Sequence, residues 1–303
     1  MHIPNEMLNG SVSSVSAVLA VAGIALAARA ACKAHDQPGV LRFAAVSALI
    51  FAAQMLNFPV LDGTSGHLLG GVLAAALLGV PFGVLALALV VTVQSLVFAD
   101  GGVQVLGANL LNMAVLGAGL GGLLHEALRR QGMRQPLALL LAAWGAMLLA
   151  AAACAIELAL SGAAEAGKVM AAMLGVHALI GIGEGVLTVA LVTVLASRVA
   201  TRGSWHVVTP LSGAVLMAAL LSPLASSHPD GLESVAGRLG FLREGAPSLV
   251  SPLADYAVAG LGETALSTAL AGLAGVFLLL VLGAMLAGML RTLNVAGGRP
   301  AAH

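Results

Sequence analysis

Residues 136–160 read PLALLLAAWGAMLLAAAACAIELAL. This run exceeds the ~20 apolar residues a helix needs to cross a bilayer, and it decides the fold class. The rest of the chain follows suit. Of 303 residues, 60% are hydrophobic and 9% charged, and the mean hydropathy is +1.04. A soluble domain carries roughly 25% charged residues. Nine apolar segments are expected: 11–33, 40–58, 66–80, 81–99, 104–124, 136–160, 169–198, 206–224 and 264–290. The chain reads as an all-α integral membrane protein of about nine transmembrane helices. Segment 66–80 is shorter than a full crossing, and Gly79-Val80-Pro81 turns it tightly into 81–99 or makes one member of the pair re-entrant. No basic stretch precedes the first segment, so it is expected to remain as a span rather than be cleaved as a signal.

Charge orients the bundle. With the N-terminus outside, the inner loops collect Arg29, Lys33, Arg42, Arg129, Arg130, Arg134, Arg198, Arg202, Arg291 and Arg299. Lys168, Arg238 and Arg243 are left outside. Basic residues favour the cytoplasmic side, so the C-terminus is expected there. The chain divides near Thr201-Arg202-Gly203. A seven-span unit, 1–203, precedes a two-span unit, 204–303, whose polar loop 226–263 lies outside. Small residues at Gly23, Ala27 and Ala31 suit close helix packing inside the protein, with a docking face for a partner helix as the alternative. Net charge is zero, and no basic patch suggests nucleic acid. Cys32 and Cys154 fall toward opposite faces and read as small apolar filler.

The chemistry concentrates at the outer face. Met1-His2-Ile3-Pro4 opens the chain, and Gly63-Thr64-Ser65-Gly66-His67 follows near the outer end of a span. A histidine at position 2 offers a metal three nitrogens: the Met1 α-amine, the His2 amide and the His2 imidazole. Consecutive donors close small fused rings and favour a flat arrangement, to which His67 adds a fourth nitrogen. Tetragonal nitrogen sites suit Ni(II) and Cu(II), whereas zinc prefers a tetrahedron. The site requires Met1 with a free amine, which the bulk of His2 favours by blocking methionine removal. The residues alone leave the plain alternative open, with His2 an ordinary second residue and His67 a polar helix start.

Glu184, within Gly181-Ile-Gly-Glu-Gly185, should face the bundle interior, because an acid at mid-bilayer costs about 2.5–3.5 kcal/mol. His177 lies seven residues earlier on the same face. These two, with Asn109 and Asn112 one turn apart, support the metal donors or clamp spans together. Asp62 and Asp100 are read as fasteners of the outer loops and, with Ser65, as further supports of the metal donors. Gly63-Thr64-Ser65-Gly66 also fits an intramembrane serine protease with Ser65 as nucleophile and His177 as base, which demands hydrogen-bond contact between them. Gly162-Ala-Ala-Glu-Ala-Gly167-Lys168-Val169 lacks the Ser/Thr and preceding strand of a phosphate loop. Gly117, Gly119 and Gly122 lie inside a span. No nucleotide is expected on this chain, and ATP hydrolysis is assigned to other subunits.

Several motifs in order carry a family resemblance: Met1-His2-Ile3-Pro4, Gly63 through Gly71, Gln94 through Gly102, Gly107-Ala108-Asn109 with Asn112-Met113, and His177 through Glu184. Over about residues 1–200 the chain resembles CbiM/NikM-type substrate-capture (S) components of energy-coupling-factor (ECF) nickel and cobalt transporters. The tail, through Pro229-Asp230-Gly231-Leu232-Glu233 and Ser251 to Tyr256, resembles their small companion subunit fused to the same chain. The resemblance implies a seven-helix capture unit in a bacterial or archaeal cell (inner) membrane. It also implies a metal held by the Met1 amine, the His2 amide and side chain, and His67. Ni(II) or Co(II) is then the transported substrate, and a transmembrane coupling subunit and cytoplasmic ATPases are the partners. Flat nitrogen coordination and the Pro-Asp-Gly-Leu-Glu tail favour nickel; cobalt uptake for cobalamin synthesis is the alternative, and a metal-sensing or scaffold protein without transport the competing class. The family's acid-glycine-aromatic run after the opening motif is replaced by Asn5-Glu6-Met7-Leu8.

Overall fold

The computed structural model describes residues 2–61, 63–199, 204–242, 251–262 and 264–297. The described residues are mostly helical, with one two-residue antiparallel pair, β1 (Phe58–Pro59) with β2 (Ser65–Gly66). Among the described residues, seven helices are long and apolar enough to cross a membrane. In chain order the helices are α1 (Gly10–Lys33), α2 (Val40–Gln54), α3 (Gly71–Leu78), α4 (Val80–Phe98), α5 (Val103–Arg130), α6 (Gln135–Leu160), α7 (Ala166–Val199), α8 (Trp205–Leu224), the short amphipathic α9 (Gly231–Leu239), and α10 (Ala265–Gly297). The multi-pass membrane architecture expected from the sequence is present.

Segments 40–58 and 66–80 differ from the other seven. The first yields the 15 residues of α2 and the second the eight of α3. At 1.5 Å per residue these reach about 22 and 12 Å, short of a ~30 Å hydrocarbon core. The physical reason lies at their ends. α2 stops where Asn57, Phe58 and Pro59 turn into the strand pair. The segment between β2 and α3 is irregular, and carries His67. Gly79, at φ 87°, then reverses the chain directly from α3 into α4.

α2 is the central column. Every residue from Phe43 to Gln54 is buried, packed on one side by α3 and α4 and on the other by α8 and α10. The two-helix tail therefore shares a core with the first seven segments. α1 is peripheral, with Val15, Val18, Val21 and Leu26 exposed on its outer side. Its small residues face inward: Gly23 meets Val115, and Ala31 is fully buried. Internal packing explains that row. Cys32 and Cys154 are both free thiols.

Candidate metal centre

The N-terminal segment is threaded into the bundle by its backbone. Ile3 N–H donates to Asn109 Oδ1 at 2.8 Å, and Asn109 Nδ2 returns a bond to Ile3 O at 3.1 Å. Gly102 N–H also donates to Ile3 O, at 2.8 Å. A Cβ on Gly102 would lie 2.4 Å from the Asn5 backbone nitrogen, so only glycine lets the two loops approach so closely. The departure at Asn5-Glu6-Met7 leaves this loop intact. Asn5 Oδ1 accepts from Gln104 N–H, Met7 is buried, and Glu6 has φ 70°, a left-handed conformation that costs a non-glycine residue about 1–2 kcal/mol.

This threading sets His2 against His67. The rings stack at 5.3 Å between centroids with an 18° interplanar angle, and both are buried. His2 Nδ1 lies 3.0 Å from Asp100 Oδ1, and its Nε2 lies 3.2 Å from Gln94 Oε1. His67 Nδ1 engages Leu68 O at 3.0 Å, while Nε2 stands 3.9 Å from Asp230 Oδ2. A carbonyl acceptor on Nδ1 assigns that nitrogen the proton and leaves Nε2 its lone pair. Burial drives the His67 pKa down to about 3, so the ring is neutral, as a ligand must be. Burial alone would raise the Asp100 carboxyl. The charge and hydrogen bond of His2, and a 2.6 Å hydrogen bond from Tyr256, outweigh it and hold Asp100 below the usual carboxylate range.

His2, His67 and Asp100 line one cavity of about 370 Å³ with Gln54, Asp230, Glu233, Asp255 and Tyr256. Gln94 reaches His2 from a π-helical turn at the end of α4, and Asn109 immediately precedes another in α5. Such turns recur where a helix must re-aim a side chain at a site. Among the described residues, no three His, Cys, Asp or Glu side chains cluster as a metal site. A chelate that uses backbone nitrogens does not require such a cluster. Met1 and Asp62 lie outside the described residues.

The remaining predicted residues have other places. Ser65 Oγ donates to His228 O at 2.7 Å, and Ser65 N–H to Pro229 O at 2.9 Å. His177 Nδ1 engages Met173 O of its own helix. No Ser65–His177 dyad forms, because the serine is turned to the tail and the histidine to the backbone of α7; this removes the basis of the proteolytic reading. His177 and Glu184 do not pair either. Glu184 accepts from Leu69 N–H at 2.6 Å and Gly70 N–H at 3.0 Å, fixing the segment that follows His67. Asn112 donates to Glu157 at 2.7 Å, and neither lines the cavity. Replacing Glu184 by leucine removes both acceptors, and each buried N–H left unpaired costs about 1–3 kcal/mol. Thermal unfolding in detergent should show a lowered midpoint for Glu184→Leu; an unchanged midpoint would deny the clamp any energetic weight.

Asp230, Gln54, Tyr256 and Glu157 were not singled out by the sequence as site or support residues. Glu157 could have been found by the test that marks Glu184, an acid within an apolar run. Asp230 sits in the spacing of a capping box. Glu233 N–H donates to Asp230 Oδ1 at 2.9 Å, and Asp230 N–H returns to Glu233 Oε2 at 3.1 Å. Gly231 lets this helix start seat on α7, where a Cβ would fall 2.9 Å from the His177 ring.

Residues 2–202 match the CbiM family, described as the cobalt uptake substrate-specific transmembrane region. The chain belongs to the CbiM family. Residues 204–292 of this CbiM chain match the PDGLE domain, so it is a fused, CbiM/NikM-type nickel/cobalt transport component. Over 302 residues it is 36% identical to the "Putative fused nickel transport protein NikMN" of Archaeoglobus fulgidus, covering 96% of this chain and 100% of that one. It is 34% identical to the "Cobalt transport protein CbiM" of Moorella thermoacetica over 157 residues, covering 50% and 61%. A crystal structure of a transition metal transporter superposes with a TM-score of 0.60 at 28% identity, covering 67% of this chain and 95% of that one. A truncated transition metal transporter gives 0.59 at 29% identity, covering 65% and 99%.

Proposed function

We propose that the chain captures Ni(II), in preference to Co(II), at the outer face and serves as the membrane substrate-binding component of an ATP-driven ECF transporter. The observation that carries this reading is the convergence of His2 and His67 on one polar cavity, with the chain start anchored through Ile3 and Asn109. The proposed donors are the Met1 α-amine, the His2 amide, His2 Nδ1 and His67 Nε2. With Nδ1 on the ion, the His2 Nε2–H donates to Gln94 Oε1. His67 keeps its Nδ1–H on Leu68 O. Each imidazole thereby has a supporting acceptor, the usual arrangement for metal-bound histidine.

Nickel is preferred on two counts. Flat nitrogen coordination suits Ni(II), and Ni(II) binds nitrogen donors more tightly than Co(II) in the general series. The fused NikMN relative is named for nickel, while cobalt-named relatives support the cobalt alternative. In this reading residues 1–203 are the capture unit, and 204–303 the companion unit, whose Asp230 and Tyr256 wall the cavity. The charge bias supports an N-terminus outside and a C-terminus inside, the coupling subunit and ATPases being separate chains. Titration of sealed right-side-out vesicles carrying the protein tests the proposal. External Ni(II) should bind one per chain and resist displacement by equimolar Co(II). Equal competition would refute the preference, and binding only after the vesicles are opened would refute the orientation.

A further inference from the structure

Tyr256 belongs to the tail, yet it lines the proposed metal cavity. The backbone is bent to put it there. Asp255 and Tyr256 have φ of 53° and 56°, a left-handed conformation that residues with a side chain seldom adopt and that persists only where the surroundings fix it. Here they do. Leu253 N–H donates to Val97 O at 3.0 Å, Ser251 Oγ to Leu96 O at 3.3 Å, and Val258 N–H to Ser267 Oγ at 2.7 Å. The Tyr256 ring stacks on Phe98 at 4.8 Å between centroids. The tail is thus stapled to the π-helical turn that carries Gln94.

The Tyr256 hydroxyl closes a loop of polar contacts around His2. It donates to Asp100 Oδ2 at 2.6 Å, and Asp100 Oδ1 lies 3.0 Å from His2 Nδ1. It accepts from Gln94 Nε2 at 3.3 Å, and Gln94 Oε1 lies 3.2 Å from His2 Nε2. The order of donors around this loop is constrained. A tyrosine has one hydroxyl proton, and the carboxylate, which can only accept, takes it. The hydroxyl therefore turns a lone pair to the fully buried Gln94, which must answer with its NH2. The amide oxygen is left for His2, where it calls for a proton on Nε2. Nδ1 is then the nitrogen open to a metal, and it is the one that closes a ring with the backbone amide of the same residue.

We propose that Tyr256 is a positioning residue for nickel capture, fixing the Gln94 amide so that His2 is held in the tautomer whose Nδ1 can join the chelate. The inference rests on the metal-site reading above and adds no ligand to it. It gives the companion unit a part in affinity through a hydroxyl that never touches the ion. Without that hydroxyl the amide can turn over and offer its NH2 to Nε2, which favours the opposite tautomer.

A double-mutant cycle on Ni(II) binding to the purified full-length chain tests this. Tyr256→Phe keeps the ring on Phe98 and removes only the oxygen. It should bind about 10-fold more weakly, the lower end of the usual loss for a group that supports a ligand. Gln94→Leu should weaken binding at least as much; Gln94→Met, closer in length, replaces it if the leucine variant fails to fold. Because the hydroxyl acts through the amide, the double variant should stay within about twofold of the Gln94 variant alone, the margin to which independent changes add. A larger further loss, as from packing or from action through Asp100 alone, would overturn the proposal. Wild-type affinity in either single variant would do the same. Wild-type affinity in His67→Ala would instead overturn the site on which the inference rests.

Discussion

Replacing His67 by alanine is expected to abolish high-affinity nickel and cobalt binding, and His2→Ala to do the same. Each exchange removes one of two imidazoles from a proposed four-donor set. The loss should exceed the roughly 10–100-fold that removing a supporting group costs. His2→Ala keeps the backbone amide but opens the larger chelate ring, and it leaves Asp100, half-buried beside Tyr256, without its His2 partner. His67→Ala deletes a ring whose Nδ1 bonds to its own neighbouring carbonyl and leaves the Tyr256–Asp100 hydrogen bond in place. Of the two it is the cleaner test. Equilibrium binding to purified, membrane-inserted protein checks both. Wild-type affinity in both variants would remove the site, while Ser65→Ala should bind normally because its hydroxyl serves His228 O.

Much of this arrangement was legible because it depends on composition and local chemistry. Nine apolar segments can be counted from the sequence, and each produces a helix near its expected place. Their reach cannot be counted in the same way. Whether 66–80 forms a full crossing depends on how the irregular Gly66–Gly70 stretch is held. The holding groups, Glu184 and Gln54, are distant in sequence. The pairing of His2 with His67 could be proposed from donor chemistry and from the outer-face placement of both. The tail's contribution could not. Asp230 reads locally as a helix cap, and its approach to His67 arises only when Gly231 seats α9 on α7. Asn112 illustrates the opposite error. Helical spacing puts it one turn from Asn109, but the π-helical turn starting at Leu110 changes the phase, and its amide meets Glu157. Periodicity predicts a shared face only while the helix keeps its period.

Extending the chain by two or three residues ahead of Met1, or acetylating its amine, is expected to eliminate binding although no side chain changes. Acetylation turns the amine into an amide and removes its charge, leaving a poor donor at neutral pH. An extension has the same electronic effect, and it adds bulk to a segment whose next residues are fixed by Asn109 and Gly102. The prediction separates two sites that the ring geometry alone accommodates. Two stacked imidazoles 5.3 Å apart coordinating through side chains alone would retain binding with a modest loss. A chelate that begins at the amine would not, because losing its first donor opens the fused rings that hold the ion flat. Titration of native, extended and acetylated protein with Ni(II), followed by absorption spectroscopy, reads the difference. Native-like affinity in the extended protein would exclude Met1 as a ligand. The site would then have to be rebuilt around His67 with Asp230, already 3.9 Å from its Nε2, as the first oxygen donor to test.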